Sequence, residues 1–156
     1  MRSNEYHFVT HWRVESTVEE VAAVLGNAED LPRWWPSVYL RVNKVAGGSV
    51  ELFTRGRLPY TLHWFSRVIN SNLPHGFSIE ARGDFEGRGV WTFAQDGRSV
   101  NITYDWRVRA EKPLLKYFSF FLKPVFRANH RWAMARGEES LKAELARRAG
   151  AGQQPA

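Results

Sequence analysis

The stretch SVNITYDWRVRAEKPLLKYFSFFLKPVFRANHRWAMARGEESLKAEL, residues 99–145, decides the fold, because a strand pattern runs directly into a helix pattern. Apolar residues from Val100 to Val108 alternate with polar ones, which is typical of a strand with one buried face. The spacing of the apolar residues then becomes helical and stays so to about Arg148. A proline fits best in the first turn of a helix, so we predict two helical segments joined at Pro124.

The chain before this stretch reads as one strand, two short helices and a run of further strands. Alternation over residues 6–14 predicts the first strand, with Tyr6, Phe8, Trp12 and Val14 facing inward. Ser16 or Thr17 caps a helix that ends at Gly26, and a second helix covers residues 29–34 before Pro36. Turn residues divide the region 37–109 into six strands, with breaks at Gly47-Gly48, Leu58-Pro59, Asn70 to Pro74, Gly83-Asp84 and Asp96-Gly97.

These elements predict an α+β domain in which a curved antiparallel sheet of seven strands wraps around the long C-terminal helix. Sequential strands with short turns form antiparallel neighbours, and the two short helices after the first strand do not disturb that order. We expect one domain over residues 1–148 and a disordered tail over 149–156. Gly137 should let the helix approach the sheet closely.

Composition narrows the classes of protein. The chain has no cysteine, which excludes disulfides and thiolate nucleophiles. The N-terminus has no apolar leader segment and no stretch is long enough to span a bilayer, so we expect a cytoplasmic protein. Seven Trp, ten Phe and five Tyr are many for 156 residues, and such rings either pack a core or line a pocket for an apolar ligand.

Several segments resemble one known family. The stretch VESTVEEVAAVLGNAEDLPRWW (14–35), together with RLPYTLHW (57–64), GDFEGRGVWTF (83–93) and RANHRWAMARGEESL (127–141), is similar to segments of START-like proteins. This group has the helix-grip fold, also called START/Bet v 1-like or SRPBCC, and is known as the polyketide cyclase/dehydrase and lipid transport superfamily. The resemblance implies a cavity between sheet and helix that holds a lipid, quinone or polyketide-like molecule. We expect no cofactor.

The predicted inward faces supply the candidate site residues. Asn129 and His130 on the helix and Ser66 on the fourth strand could orient the polar end of an apolar ligand. The resemblance also leaves open an aromatase/cyclase that catalyses ring closure and dehydration, with Ser66, His130 and Tyr60 carrying protons. Arg67 should point away from the cavity, because it alternates with Ser66. The predicted ligand-binding set is Trp64, Ser66, Trp91, Tyr104, Trp106, Phe118, Phe121, Asn129 and His130.

Charge is concentrated at the C-terminal end, where residues 107–148 carry eleven Lys and Arg against four Asp and Glu. Lys116, Lys123 and Arg127 fall in one row beside the apolar run 114–126, a pairing that suits an anionic membrane surface. A buried lid helix whose lysines reach water is the alternative. A nucleic-acid platform is disfavoured because the aromatics should face inward, and the histidines at 7, 11 and 63 have no spacing for a metal site.

Overall fold

The computed structural model describes residues 4–152, apart from the side chains of Leu114, Phe118 and Ser119. Its elements follow the predicted order of one strand, two short helices, six strands and a long helix. Their bounds are β1 Glu5–Glu15, α1 Val18–Leu25, α2 Leu31–Trp34, β2 Tyr39–Lys44, β3 Ser49–Thr54, β4 Leu62–Ser71, β5 Gly76–Gly83, β6 Phe85–Asp96, β7 Ser99–Ala110 and α3 Pro113–Gly152.

Among the described residues the strands form one curved antiparallel sheet in the order β1-β7-β6-β5-β4-β3-β2. From β2 to β7, each strand is joined to the next one in the chain by a turn or short loop and lies beside it in the sheet. β1 instead pairs with β7 along its whole length, from Glu5 opposite Arg109 to Glu15 opposite Ser99. The seven-stranded helix-grip prediction is therefore confirmed, and each predicted break lies at a junction between two strands or overlaps the end of one by a residue or two. The two helices between β1 and β2 are inserted without changing the sheet.

Both short helices lie close to their predicted positions. The Thr17 hydroxyl accepts a hydrogen bond from the Glu20 amide at 3.2 Å, so it caps α1 as expected, and Gly26 ends that helix. The predicted second helix at 29–34 is a 3-10 turn, Ala28–Asp30, that continues into α2. The turn and the short helix pack the Trp34 and Trp35 side chains into the core.

The core lies on the concave face of the sheet. On β7 the side chains of Val100, Ile102, Tyr104, Trp106 and Val108 are buried, as the alternation predicted. Leu141 of α3 is fully buried in the same core. Alternation therefore identified the inner surface of the central strands.

The long helix differs from the prediction of two segments. α3 is continuous from Pro113 to Gly152 and passes through Pro124 without a break. The φ angle of proline suits a helix, so the loss is one backbone hydrogen bond and some crowding. The helix also runs beyond Arg148, through residues 149–152 that we expected in the tail, while 153–156 lie outside the described residues. In the part of the chain that the structure describes, no helix is apolar over enough length to cross a bilayer.

The second half of α3 is anchored by one carboxylate and one glycine. Glu144 is almost fully buried and accepts hydrogen bonds from Arg33 of α2, and from Arg147 and Arg148 on its own helix. Gly137 does make a close approach, but its neighbour is the indole of Trp35 and not a strand of the sheet as we expected. Trp35 stands between sheet and helix because α2 places it there.

Candidate functional site

A cavity of about 120 Å³ lies between the concave face of the sheet and α3. Its wall is mostly apolar, and its helix side is formed by residues from Leu115 to Met134. An apolar cavity of this kind can stay dry, and one of roughly 150 Å³ in another protein holds benzene. The aromatic and aliphatic lining consists of Tyr6, Phe8, Trp35, Val38, Tyr39, Leu58, Leu62, Trp64, Phe85, Tyr104, Trp106, Val108, Ala110, Leu115, Phe126, Ala133 and Met134.

Three predicted aromatic residues lie on the sheet side of the cavity. The rings of Trp64 and Trp106 lie 5.5 Å apart, and Tyr104 stacks beside Trp106 at 5.7 Å. Gly89 on β6 makes room for them, because a Cβ there would lie 2.7 Å from the Tyr104 hydroxyl oxygen. Any side chain at position 89 would therefore push this aromatic wall into the cavity.

The polar atoms of the wall are few and mostly buried. The Trp64 indole N–H donates to the Thr54 hydroxyl at 3.1 Å, so this donor is satisfied within the protein. Burial raises the pKa of the phenols of Tyr39 and Tyr104, and the nearby Tyr39 phenol adds a smaller upward shift to the pKa of Tyr104. Both hydroxyls therefore stay protonated at physiological pH and can donate a hydrogen bond.

His130 enters the cavity wall from α3 as a neutral imidazole. Its ring stacks on Phe8 with centroids 3.9 Å apart and planes 12° from parallel. Desolvation lowers the pKa of His130 to about 4, because the charged form would lose its water. Among the described residues its ring nitrogens have no hydrogen-bond partner, so one remains a donor and the other an acceptor.

Asn129 joins α3 to the loop between β3 and β4. Its side-chain oxygen accepts a hydrogen bond from the Arg57 amide at 2.7 Å, and Gly56 packs against it with a φ of 65°. The guanidinium of Arg57 also lies 5.4 Å from the Trp132 ring. Arg55, Gly56 and Leu58 of this loop line the cavity, so Asn129 holds one of its walls closed. We call residues 55–61 the closing loop.

The structure places Trp64, Tyr104, Trp106, Asn129 and His130 together in the cavity wall, and their role in ligand binding stays a prediction. Trp91 is buried but lies behind Tyr104, on which it stacks at 4.0 Å. The Phe118 side chain lies outside the described residues.

The other predicted residues are not part of this wall. Ser66 pairs with Ala81 and so shares the inner face of β4, yet it lies too far along the strand to line the cavity. Tyr60 precedes β4, in the closing loop, and its buried hydroxyl has no partner among the described residues. Phe121 is 71% exposed on the outer side of α3, contrary to its assignment as a ligand contact. Arg67 points outward as predicted, 3.9 Å from Glu80.

Several lining residues were missing from the predicted set. Tyr6 and Phe8 were assigned to the inner face of β1, and their position opposite Val108 and Trp106 would have pointed to the cavity. Tyr39 is the first residue of β2, a strand in which no alternation pattern marks an inner face, and Trp35 lies just after α2. Leu58 comes from the closing loop, whose path depends on the contact with Asn129 and could not be read from the sequence.

The histidines outside the cavity make ordinary surface contacts. His7 lies 3.0 Å from Asp105, His63 lies 2.8 Å from Glu51, and His11 contacts Thr103. Among the side chains that the structure describes, no group of three His, Asp or Glu residues is close enough together to hold a metal ion.

Comparison with known proteins connects this architecture to one family. The family model described as polyketide cyclase / dehydrase and lipid transport matches residues 6–146. Comparison with curated protein sequences gives no match.

Similar folds occur among solved structures. The Zhui aromatase/cyclase from a Streptomyces species is 15% identical with a TM-score of 0.72, over 97% of this chain and 99% of that one. A START superfamily protein from Mycobacterium smegmatis is 13% identical with a TM-score of 0.69, over 90% and 97%. Norcoclaurine synthase from Thalictrum is 13% identical with a TM-score of 0.63, over 93% and 96%. At these identities the likeness establishes the fold alone.

Proposed function

The chain belongs to the polyketide cyclase / dehydrase and lipid transport family, and on that basis we propose that it binds an apolar, aromatic small molecule between sheet and α3. The observation that carries this proposal is the cavity itself, whose wall combines Trp64, Tyr104 and Trp106 with one neutral imidazole. A mainly apolar wall with a few convergent polar groups is the usual form of a small-molecule site.

The cavity volume limits what fits without movement. At about 120 Å³ it is smaller than the roughly 300 Å³ of ordinary ligand pockets and closer to a cavity that accepts one benzene ring. A single-ring ligand would fit the closed form. A lipid, quinone or polyketide would require the closing loop to separate from α3, which breaks the Asn129 to Arg57 hydrogen bond.

The polar end of the ligand would face His130. A neutral imidazole can donate to or accept from a hydroxyl or carbonyl, and the buried phenols of Tyr39 and Tyr104 offer two further donors. Removal of apolar ligand surface from water would supply affinity at roughly 25 cal/mol per Å². Such a site would prefer a phenol over the matching hydrocarbon.

Catalysis as an aromatase/cyclase is the alternative, and the geometry favours it less. A general base works best with a pKa near the working pH, whereas that of His130 is lowered to about 4. No carboxylate orients the imidazole among the described residues, and the other proposed proton carriers, Ser66 and Tyr60, lie outside the cavity wall. If the chain were a cyclase, Ser66→Ala or His130→Ala would abolish turnover and leave affinity nearly intact.

Calorimetric titration with p-cresol and toluene tests the proposal. Ala133→Phe places a ring inside the cavity, and we expect it to weaken binding of both compounds at least about tenfold. Ala143→Phe, on an exposed position of the same helix, is the matched control and should bind as the wild type does. Wild-type protein that binds neither compound, or equal loss in both variants, would refute a ligand site in this cavity.

A further inference from the structure

A group of apolar side chains on the first half of α3 is exposed to solvent. Tyr117 is 74% exposed, Phe120 73%, Phe121 71% and Val125 52%. The alternative of a buried lid helix does not hold for these four side chains, because the described part of the domain leaves them exposed. On a straight helix they fall within about 140 degrees of arc. We call them the aromatic stripe.

The aromatic stripe lies on the opposite side of α3 from the cavity. Leu115 and Phe126 line the cavity. A helix turns by about 100 degrees per residue, which places both residues roughly 180 degrees around the helix axis from Tyr117. The helix therefore carries apolar residues on both sides, and only one side packs on the sheet. Clustered exposed rings are uncommon on soluble monomers and indicate an interaction surface.

Basic residues border the aromatic stripe along one edge. Lys116, Lys123 and Arg127 follow one another along α3, and residues 107–148 carry a clear excess of positive charge. Lys116 has an acidic neighbour, Glu111 at 3.4 Å, while the Lys123 ammonium lies 5.2 Å from the Tyr6 ring centre. Within the described part of the chain, no Asp or Glu lies within 4 Å of the charged groups of Lys123 or Arg127.

We propose that this face of α3 docks on an anionic lipid membrane, with the aromatic stripe in the interfacial layer and Lys116, Lys123 and Arg127 on the lipid headgroups. Rings of Phe and Tyr beside a basic row are the pattern of a helix that lies in the plane of a membrane. The stripe is exposed on the side of α3 opposite the cavity, so its rings are accessible to a surface. This inference goes beyond the proposed ligand and does not depend on it.

Charge argues for lipid and against a second copy of the chain. In a symmetric dimer through the aromatic stripe with the two helices antiparallel, the same patch would face itself and both basic rows would lie along the same edge of the contact. Repulsion between these rows would oppose the contact. An anionic lipid surface offers the complementary charge across the whole row, and each basic residue near such a surface contributes about fivefold in partitioning.

The test is cosedimentation of the full chain with vesicles of phosphatidylcholine alone and of phosphatidylcholine mixed with phosphatidylglycerol. We expect binding to the mixed vesicles only, and a loss of that binding when the ionic strength is raised. Lys123→Gln with Arg127→Gln should weaken it about 25-fold. Phe120→Ser with Phe121→Ser should weaken it at least about tenfold.

Matched controls carry the same changes on exposed positions elsewhere. Arg98→Gln with Lys142→Gln, and Val68→Ser with Leu73→Ser, should bind mixed vesicles as the wild type does. Equal binding to both kinds of vesicle, or equal loss in the controls, would overturn the proposal. Analytical ultracentrifugation tests the alternative that a second copy of the chain binds the stripe. A wild-type dimer that is abolished by Phe120→Ser with Phe121→Ser would assign the stripe to that dimer and overturn the proposal. The effect of ionic strength on vesicle binding is measured on the wild type, so this part of the test holds even if a variant does not fold.

Discussion

The imidazole of His130 stacks on the ring of Phe8 across the gap between α3 and β1, with centroids 3.9 Å apart. The contact buries a titratable ring beside an apolar cavity, which lowers the pKa of His130 to about 4 from an unfolded value of roughly 6.5. As the pH falls, His130 therefore becomes protonated in the unfolded chain at a higher pH than in the folded one. Lowering the pH from about 6.5 to about 4 favours unfolding for this reason.

We predict that stability falls by about 3 kcal/mol as the pH drops from 6.5 to 4 because of this group. The contribution of neutral His130 is complete above pH 6.5. His130→Phe should remove most of that slope in urea unfolding measured at intervals of pH, whereas His75→Gln, at an exposed position, should keep it. An unchanged slope in His130→Phe would mean that the ring is not desolvated in the folded protein.

Gly137 offers a test of how tightly α3 packs on Trp35. A Cβ at this position would lie well inside contact distance of the indole, so Gly137→Ala must displace either the ring or the helix. We expect a loss of about 2 kcal/mol in the free energy of unfolding. Gly150→Ala, on the same helix with open space around it, should be neutral or stabilising by up to about 1 kcal/mol. Similar effects of both substitutions would contradict the close contact.

The Glu144 carboxylate is expected to stabilise the anchored half of α3. Hydrogen bonds from Arg147 and Arg33 hold the pKa of Glu144 well below its usual range, so its stabilising effect is present above about pH 4.5 and is lost in stronger acid. Glu144→Ala should cost about 2 kcal/mol, a moderate value because its arginine partners are partly exposed.

The matched control for this carboxylate is Glu139→Ala, which removes an exposed partner of Arg136 on the same helix. We expect a change below about 0.5 kcal/mol in urea unfolding at neutral pH. If the two variants lost the same stability, the buried arrangement around Glu144 would have no special role.

Asn129 should control how often the closing loop opens. Asn129→Leu removes the acceptor for the backbone amide of Arg57. The loss of a hydrogen bond worth about 1 kcal/mol should make hydrogen exchange at the amides of the closing loop roughly fivefold faster. Asn129→Asp retains an acceptor oxygen and should keep exchange near the wild-type rate. Equal exchange in all three proteins would show that this contact does not hold the loop.

Local pattern was enough to predict most of the fold and part of the cavity. Alternation on β7 and turn residues between strands are properties of short segments, so Tyr104 and Trp106 were assigned to the correct face. Alternation does not say how far along a strand the cavity extends, which is why Ser66 lies on the inner face yet outside the wall.

The helix was harder to interpret than the strands. A segment that is apolar all round does not reveal which side packs on the sheet, so Phe121 was assigned inward while it faces solvent. Pro124 was interpreted as a break, but one missing hydrogen bond is not enough to end a helix that is anchored by its second half. The position of Leu58 depends on a contact between residues far apart in the chain.

The central claim is that the cavity between sheet and α3 holds an apolar molecule, and native mass spectrometry of the protein purified from the cells that produce it tests this most directly. We predict a retained apolar compound on the wild type that is absent from Ala133→Phe and present on Ala143→Phe. A wild-type protein that is recovered empty, and that takes up neither p-cresol nor toluene when they are added, would contradict the claim.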